Sequence, residues 1–149
     1  MILTPHFALD EMVVSQEAAR RGIDNRPGAA ALAELRRTAE LLERVRALLQ
    51  RPVIVSSGYR CPALNQAVGG TPGSAHVWGG AADIVVPGYG TPLAVARELA
   101  RHAQSVDFDQ LIHEFDAWVH VGRAPAGQAA RHQVLTIDRA GARFGLGGA

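Results

Sequence analysis

Three residues in this chain have the types and spacing to act together: His76 and Asp83 in "SAHVWGGAADI" and His120 in "WVHVG". Asp83 opens an apolar run, where an ionised carboxylate is costly unless it is paired or bound to a metal. Two imidazoles and one carboxylate make a three-ligand set that suits zinc and leaves one coordination position for water. Structural zinc sites usually close with four ligands, often cysteines. This chain has a single cysteine, Cys61. An open His/Asp/His set therefore points to catalysis rather than to stapling.

Those side chains need elements to carry them. The first part of the chain reads as helical. Ser15 caps a short helix over "SQEAARRG", which Gly22 stops. "NRPG" makes a turn and places Pro27 in a helix first turn. Leu32, Leu35, Ala39, Leu42, Val45 and Leu49 recur at helical spacing and predict a long amphipathic helix ending near Gln50. After Pro52 the pattern turns to strands: "VIVSS", then a two-turn helix in "CPALNQAVGG", then a Gly/Pro loop running to His76. "AADIVVP" reads as a buried strand. "TPLAVARELARHAQ" reads as a helix with Thr91 as N-cap and Pro92 at its first position. "FDQLIHEF" pairs with "WVHVG" as a hairpin, and "HQVLTID" with "ARFGL" as another. The expected class is α+β, with N-terminal helices packed on a small, mainly antiparallel sheet that carries the zinc site.

Residues 1–149 are expected to form one domain, long enough for a core without staples. A hydrophobic share of 48% against 19% charged argues against disorder. Fifteen basic residues, all arginine, stand against 14 acidic ones, and no arginine run forms a nucleic-acid stripe. Neither a nucleic-acid partner nor a membrane span is expected, and a monomer is. The lone Cys61 makes no internal disulfide and is expected to be a small apolar filler. His6, His102 and His132 are expected at the surface or as caps.

"SGYRCPALN", "SAHVWGGAAD" and "WVHV", in that order, resemble the M15 family of zinc D-Ala-D-Ala carboxypeptidases and related peptidoglycan peptidases, especially its compact bacterial and phage-type members. The motif S-x-H-x-x-G-x-A-x-D is matched by Ser74, His76, Gly79, Ala81 and Asp83. Tyr59 and Arg60 match its tyrosine-arginine element, and Trp118 and His120 match W-x-H. The likeness runs from about residue 5 to 122 and includes "HFALDEM". It implies His76, Asp83 and His120 as zinc ligands and the D-amino-acid-containing stem peptide of peptidoglycan as substrate. Arg60 would clamp a carboxylate or a peptide carbonyl through its planar fork, with Ser57 and Ser74 in support and Trp78 lining the cleft.

The base departs from the pattern. Many members carry a glutamate three residues before the last zinc histidine, where this chain has Ala117. His113, Glu114 and Asp116 are the candidates nearby, and strand parity sorts them. A hairpin turn centred on Asp116 pairs Glu114 with Trp118 and puts it on the face of His120. A turn at Asp116-Ala117 instead pairs His113 with His120. Compact members have a glutamate in an "E-F-x-x-W-V-H"-like context, which favours Glu114.

The function expected from the resemblance is zinc-dependent hydrolysis of peptide bonds in peptidoglycan stem peptides, of D-Ala-D-Ala carboxypeptidase or endopeptidase type. The alternatives are an L-alanyl-D-glutamate endopeptidase and an inactive peptidoglycan-binding module, the latter suggested by Ala117. "MILTPHFALDEM" lacks the basic and apolar regions of a signal peptide. Synthesis in the cytoplasm and action on the cell wall after phage-type release are therefore expected.

Overall fold

In a computed structural model that describes residues 1–147, the chain opens with a two-stranded hairpin, β1 (Ile2–Thr4) and β2 (Phe7–Ala8). Two short helices follow, α1 (Leu9–Val13) and α2 (Gln16–Arg21). Ser15 Oγ accepts the Ala18 N–H, and Gly22 ends α2 in the left-handed conformation (φ 66°) that glycine adopts without a Cβ penalty. The long helix α3 (Ala29–Leu49) buries Leu35, Ala39, Leu42, Val45 and Leu49, the expected stripe, and closes at Gln50. Pro27 does not enter it. Arg26 N–H instead donates to Asp24 Oδ1 in a local turn, and Gly28 takes the extended cap position.

The remainder builds the sheet. In order come β3 (Ile54–Ser57), α4 (Pro62–Ala67), a 3₁₀ turn (Ala75–Trp78), β4 (Ala81–Val85), α5 (Pro92–Arg101), α6 (Ala103–Val106), β5 (Gln110–Glu114), β6 (Trp118–Gly122), β7 (Gln133–Asp138) and β8 (Gly141–Phe144). Thr91 Oγ1 caps α5 through the Ala94 N–H, as the sequence predicts, but the helix stops at Arg101 rather than running on to Gln104. His102 Nδ1 lies 3.0 Å from the Glu98 carbonyl oxygen, the acceptor that a continuing helix would give to the His102 N–H. That N–H turns to Leu99 O, and the helix breaks.

Six strands lie in the order β3-β4-β6-β5-β7-β8, antiparallel at every junction except β5–β7, which is parallel. The α+β class with a mainly antiparallel sheet is therefore observed. Ladder registers run Asp83↔His120 and Ile112↔His120, so β4, β6 and β5 share one parity. One face carries Ala82, Ile84, Val119, Val121 and Leu111, all at most 1% exposed and joined in one core with the buried residues of α3 and α5. The opposite face presents Ala81, Asp83, Trp118, His120, Gln110, Ile112 and Glu114. The helices thus hold one side of the sheet and leave the other for the site.

The end of β3 is tied to α1: Tyr59 N–H donates to Met12 O at 2.7 Å, and a Cβ added at Gly58 would collide with the same carbonyl. Gly58→Ala is expected to cost about 1–3 kcal/mol of stability by overpacking, measured by chemical denaturation. An unchanged denaturation midpoint would show that α1 yields freely.

Candidate metal centre and active site

Each member of the candidate site is set by its own local device. Ser74 Oγ accepts the His76 N–H at 3.2 Å and so caps the 3₁₀ turn that presents His76. His76 Nδ1 lies 2.6 Å from Gly58 O. A carbonyl only accepts, so Nδ1 carries a proton and Nε2 is the ring nitrogen turned towards Asp83. That Nε2 is 3.3 Å from Asp83 Oδ1. His120 Nδ1 reaches the same oxygen at 3.0 Å, brought there by the direct β4–β6 pairing of the two residues.

All three side chains are buried, and one ligand atom from each lies within 4.8 Å of the others. Metal–ligand bonds of about 2.0–2.1 Å in a tetrahedron set ligand atoms about 3.3–3.4 Å apart. The contacts at 3.3 and 3.0 Å are close to that edge. Donor chemistry and spacing both fit a metal ion. Burial works against charge on Asp83, yet hydrogen bonds and charge from His120 and His76 outweigh it and hold the carboxyl well below the usual carboxylate range.

The β5–β6 turn decides the neighbouring acid. Glu114 pairs with Trp118 and Ile112 with His120, which is the register centred on Asp116. Glu114 Oε1 therefore stands 4.0 Å from His120 Nδ1. Burial, then the charge of Asp83, pushes the Glu114 carboxyl above its ordinary pKa. His113 points to the helix-covered face, where its Nε2 lies 2.9 Å from Asp116 Oδ1. Neither His113 nor Asp116 joins the cluster.

A cavity of about 630 Å³ opens over this face, and Arg60, Ser74, Trp78, Glu114 and Trp118 line it with the three clustered residues. Arg60 is half-buried, and its Nε–H has no acceptor among the described residues. Burial lowers its pKa, while the charges of Asp83 and Glu114 act in the opposite sense. Ser57 is not brought in. It pairs in register with Asp83 but lines a separate recess with Tyr59, Arg60 and Leu64.

Two cavity residues were missed by sequence reasoning. Arg123 lies 5.6 Å from the Trp78 ring centroid and is ion-paired with Glu34 of α3. Arg131 binds Asp109 with both ends of its guanidinium, at 3.0 and 2.7 Å. No motif marks them, because their partners are distant in sequence. His6, His102 and His132 pair with Glu43, Glu98 and Asp107, away from the cavity. Cys61 is a free thiol that packs against the core.

A buried two-histidine, one-carboxylate cluster in the floor of a cavity on an α+β sheet defines a candidate metal-dependent site. The Peptidase M15 family model matches residues 5–122, a span that contains all three cluster residues, and the chain belongs to that family. Membership implies a peptidase. A search of the curated proteins found no match.

Purified protein is expected to carry about one zinc per chain. His76→Ala and Asp83→Ala should each lose most of it, as read by elemental analysis. Full occupancy in either variant would remove that residue from the ligand set.

Proposed function

We propose that the chain is a zinc-dependent peptidase that hydrolyses peptide bonds in peptidoglycan stem peptides, of D-Ala-D-Ala carboxypeptidase or endopeptidase type. The observation that carries this reading is the His76–Asp83–His120 cluster with Glu114 Oε1 4.0 Å from His120, in a chain of the M15 family. His76 through Nε2, Asp83 through Oδ1 and His120 through Nδ1 would hold the ion. When bound, zinc supplies Lewis-acid polarisation and makes hydroxide available near neutral pH.

The chain's own residues supply the rest. Glu114 takes the proton of the attacking water at its carboxylate and returns it to the leaving amine. Its raised pKa brings it nearer to the working pH, where a base that must later act as an acid is most effective. Arg60 holds the scissile carbonyl or a terminal carboxylate. Its unpartnered Nε–H supports that role, since a buried donor is costly to leave unmade. Ser74 keeps His76 oriented, and Trp78 forms a wall of the cleft. The non-cleaving alternative rested on Ala117, and the position of Glu114 beside His120 weighs against it.

Digestion of purified peptidoglycan, with fragments identified by mass, tests the reading. Release of D-alanine or D-Ala-linked fragments is expected. Cleavage between L-alanine and D-glutamate would instead make it the other endopeptidase, and no release would leave a binding module. Glu114→Gln is expected to keep zinc and lose about 10²–10⁴ in rate, while His113→Gln keeps most of its turnover. The reverse outcome would make His113 the base. Arg60→Lys should retain fold and metal but impair turnover, because the charge survives and the planar fork does not. Unchanged kinetics on a peptide ending in D-Ala-D-Ala would reduce Arg60 to a bystander.

A further inference from the structure

Trp118 presents a second buried donor in the cavity. An indole N–H can only donate. Among the described residues no acceptor meets normal hydrogen-bond geometry with Trp118 Nε1, although the atom is buried. A buried donor left without an acceptor is costly, so its retention needs a reason. The cross-strand partner of Trp118 is Glu114, and both side chains stand on the cavity face of the hairpin. The backbone already holds the pair opposite one another, so a full hydrogen bond requires only side-chain adjustment.

The turn beyond the pair supports the same placement. Phe115 and Asp116 both adopt left-handed backbone conformations, with φ 53° and 49°. Asparagine and glycine are the usual occupants of such turns, and a bulky aromatic there is strained. The strained Phe115 sets its ring 5.8 Å from that of Trp118, tilted by 47°. Phe115 is half exposed, so burial of its own ring does not explain the conformation. Its N–H donates to Ile137 O, which fixes the turn to the next strand. The ring of Trp118 is thereby braced from the turn side.

We propose that Trp118 is a positioning residue whose indole N–H donates to the Glu114 carboxylate and holds it beside the His76–Asp83–His120 cluster. This rests on Glu114 serving as the base. Such a bond fixes the orientation of the carboxylate. It is also worth most in the low-dielectric floor of the cavity.

Trp118→Phe removes the N–H and keeps an aromatic ring against Phe115. In the zinc-loaded enzyme kcat should fall about 10-fold, comparable to the loss of a hydrogen-bond partner that orients a metal ligand, while KM stays within about twofold and zinc content is unchanged. Added to Glu114→Gln, the substitution should cost nothing further. A second readout needs neither metal nor turnover. In ¹H–¹⁵N spectra of the zinc-free protein, with Trp78→Phe used to assign the two indoles, the Trp118 N–H resonance should move in Glu114→Gln and stay in place in His113→Gln. Full kcat in Trp118→Phe, or an indole resonance indifferent to Glu114→Gln, would overturn the proposal. Normal turnover in Glu114→Gln would overturn the base assignment and the positioning role together, while the resonance would still report whether the bond exists.

Discussion

The direct pairing of Asp83 with His120 across β4 and β6 is the constraint on which the rest of the site depends. Because strand side chains alternate, that one register sends Ala82, Ile84, Val119 and Val121 to the helices and Ala81, Asp83, Trp118 and His120 to the cavity. A slip of one residue would exchange the two sets. It would expose isoleucine and valine side chains whose burial is worth about 1.5–3 kcal/mol each and drive a carboxylate and an imidazole into the helix-packed core. The orientation of the ligand candidates is thus enforced by apolar residues whose side chains lie on the opposite face of the sheet.

Asp83 illustrates how the cost of a buried charge is offset. Its two imidazole partners arrive by unrelated routes, one from the adjacent strand and one from a 3₁₀ turn capped by Ser74. The second route extends further. His76 is oriented by the Gly58 carbonyl, and Gly58 lies hard against the Met12 carbonyl of α1. The N-terminal helices, which supply no ligand candidate, therefore help to set which ring nitrogen of His76 faces the cluster.

Much of this was legible in the sequence, for reasons that differ by element. The stripe from Leu35 to Leu49, the Ser15 and Thr91 caps and the alternation in "WVHVG" are strong local signals, and they appear as read. The two registers of the β5–β6 hairpin were distinguishable in principle but not by propensity. Neither Phe115 nor Asp116 is a residue that announces a left-handed turn, so which of Glu114 and His113 shares the face of His120 is read from the ladder. β1 and β2 are too short for a period of two to register. Ser57 shares a register position with Asp83 but lies beside a bulge, which parity alone does not show. The roles of Arg123 and Arg131 depend on Glu34 and Asp109, and no sequence window contains both members of either pair.

The parallel placement of β7 against β5 has a consequence for how this fold tolerates change. β7 and β8 lie wholly beyond the region matched by the family model, which ends at residue 122. Yet β7 saturates the outer hydrogen-bonding edge of β5, from Gln110↔Gln133 to Glu114↔Ile137. Without it, the strand that carries Glu114 would present a bare ladder edge, which invites association with another chain. The C-terminal hairpin therefore acts as a guard strand pair. Variation there can reshape the cavity wall at Ile137 while the ligand-bearing strands keep their pairing, provided that some strand still covers that edge.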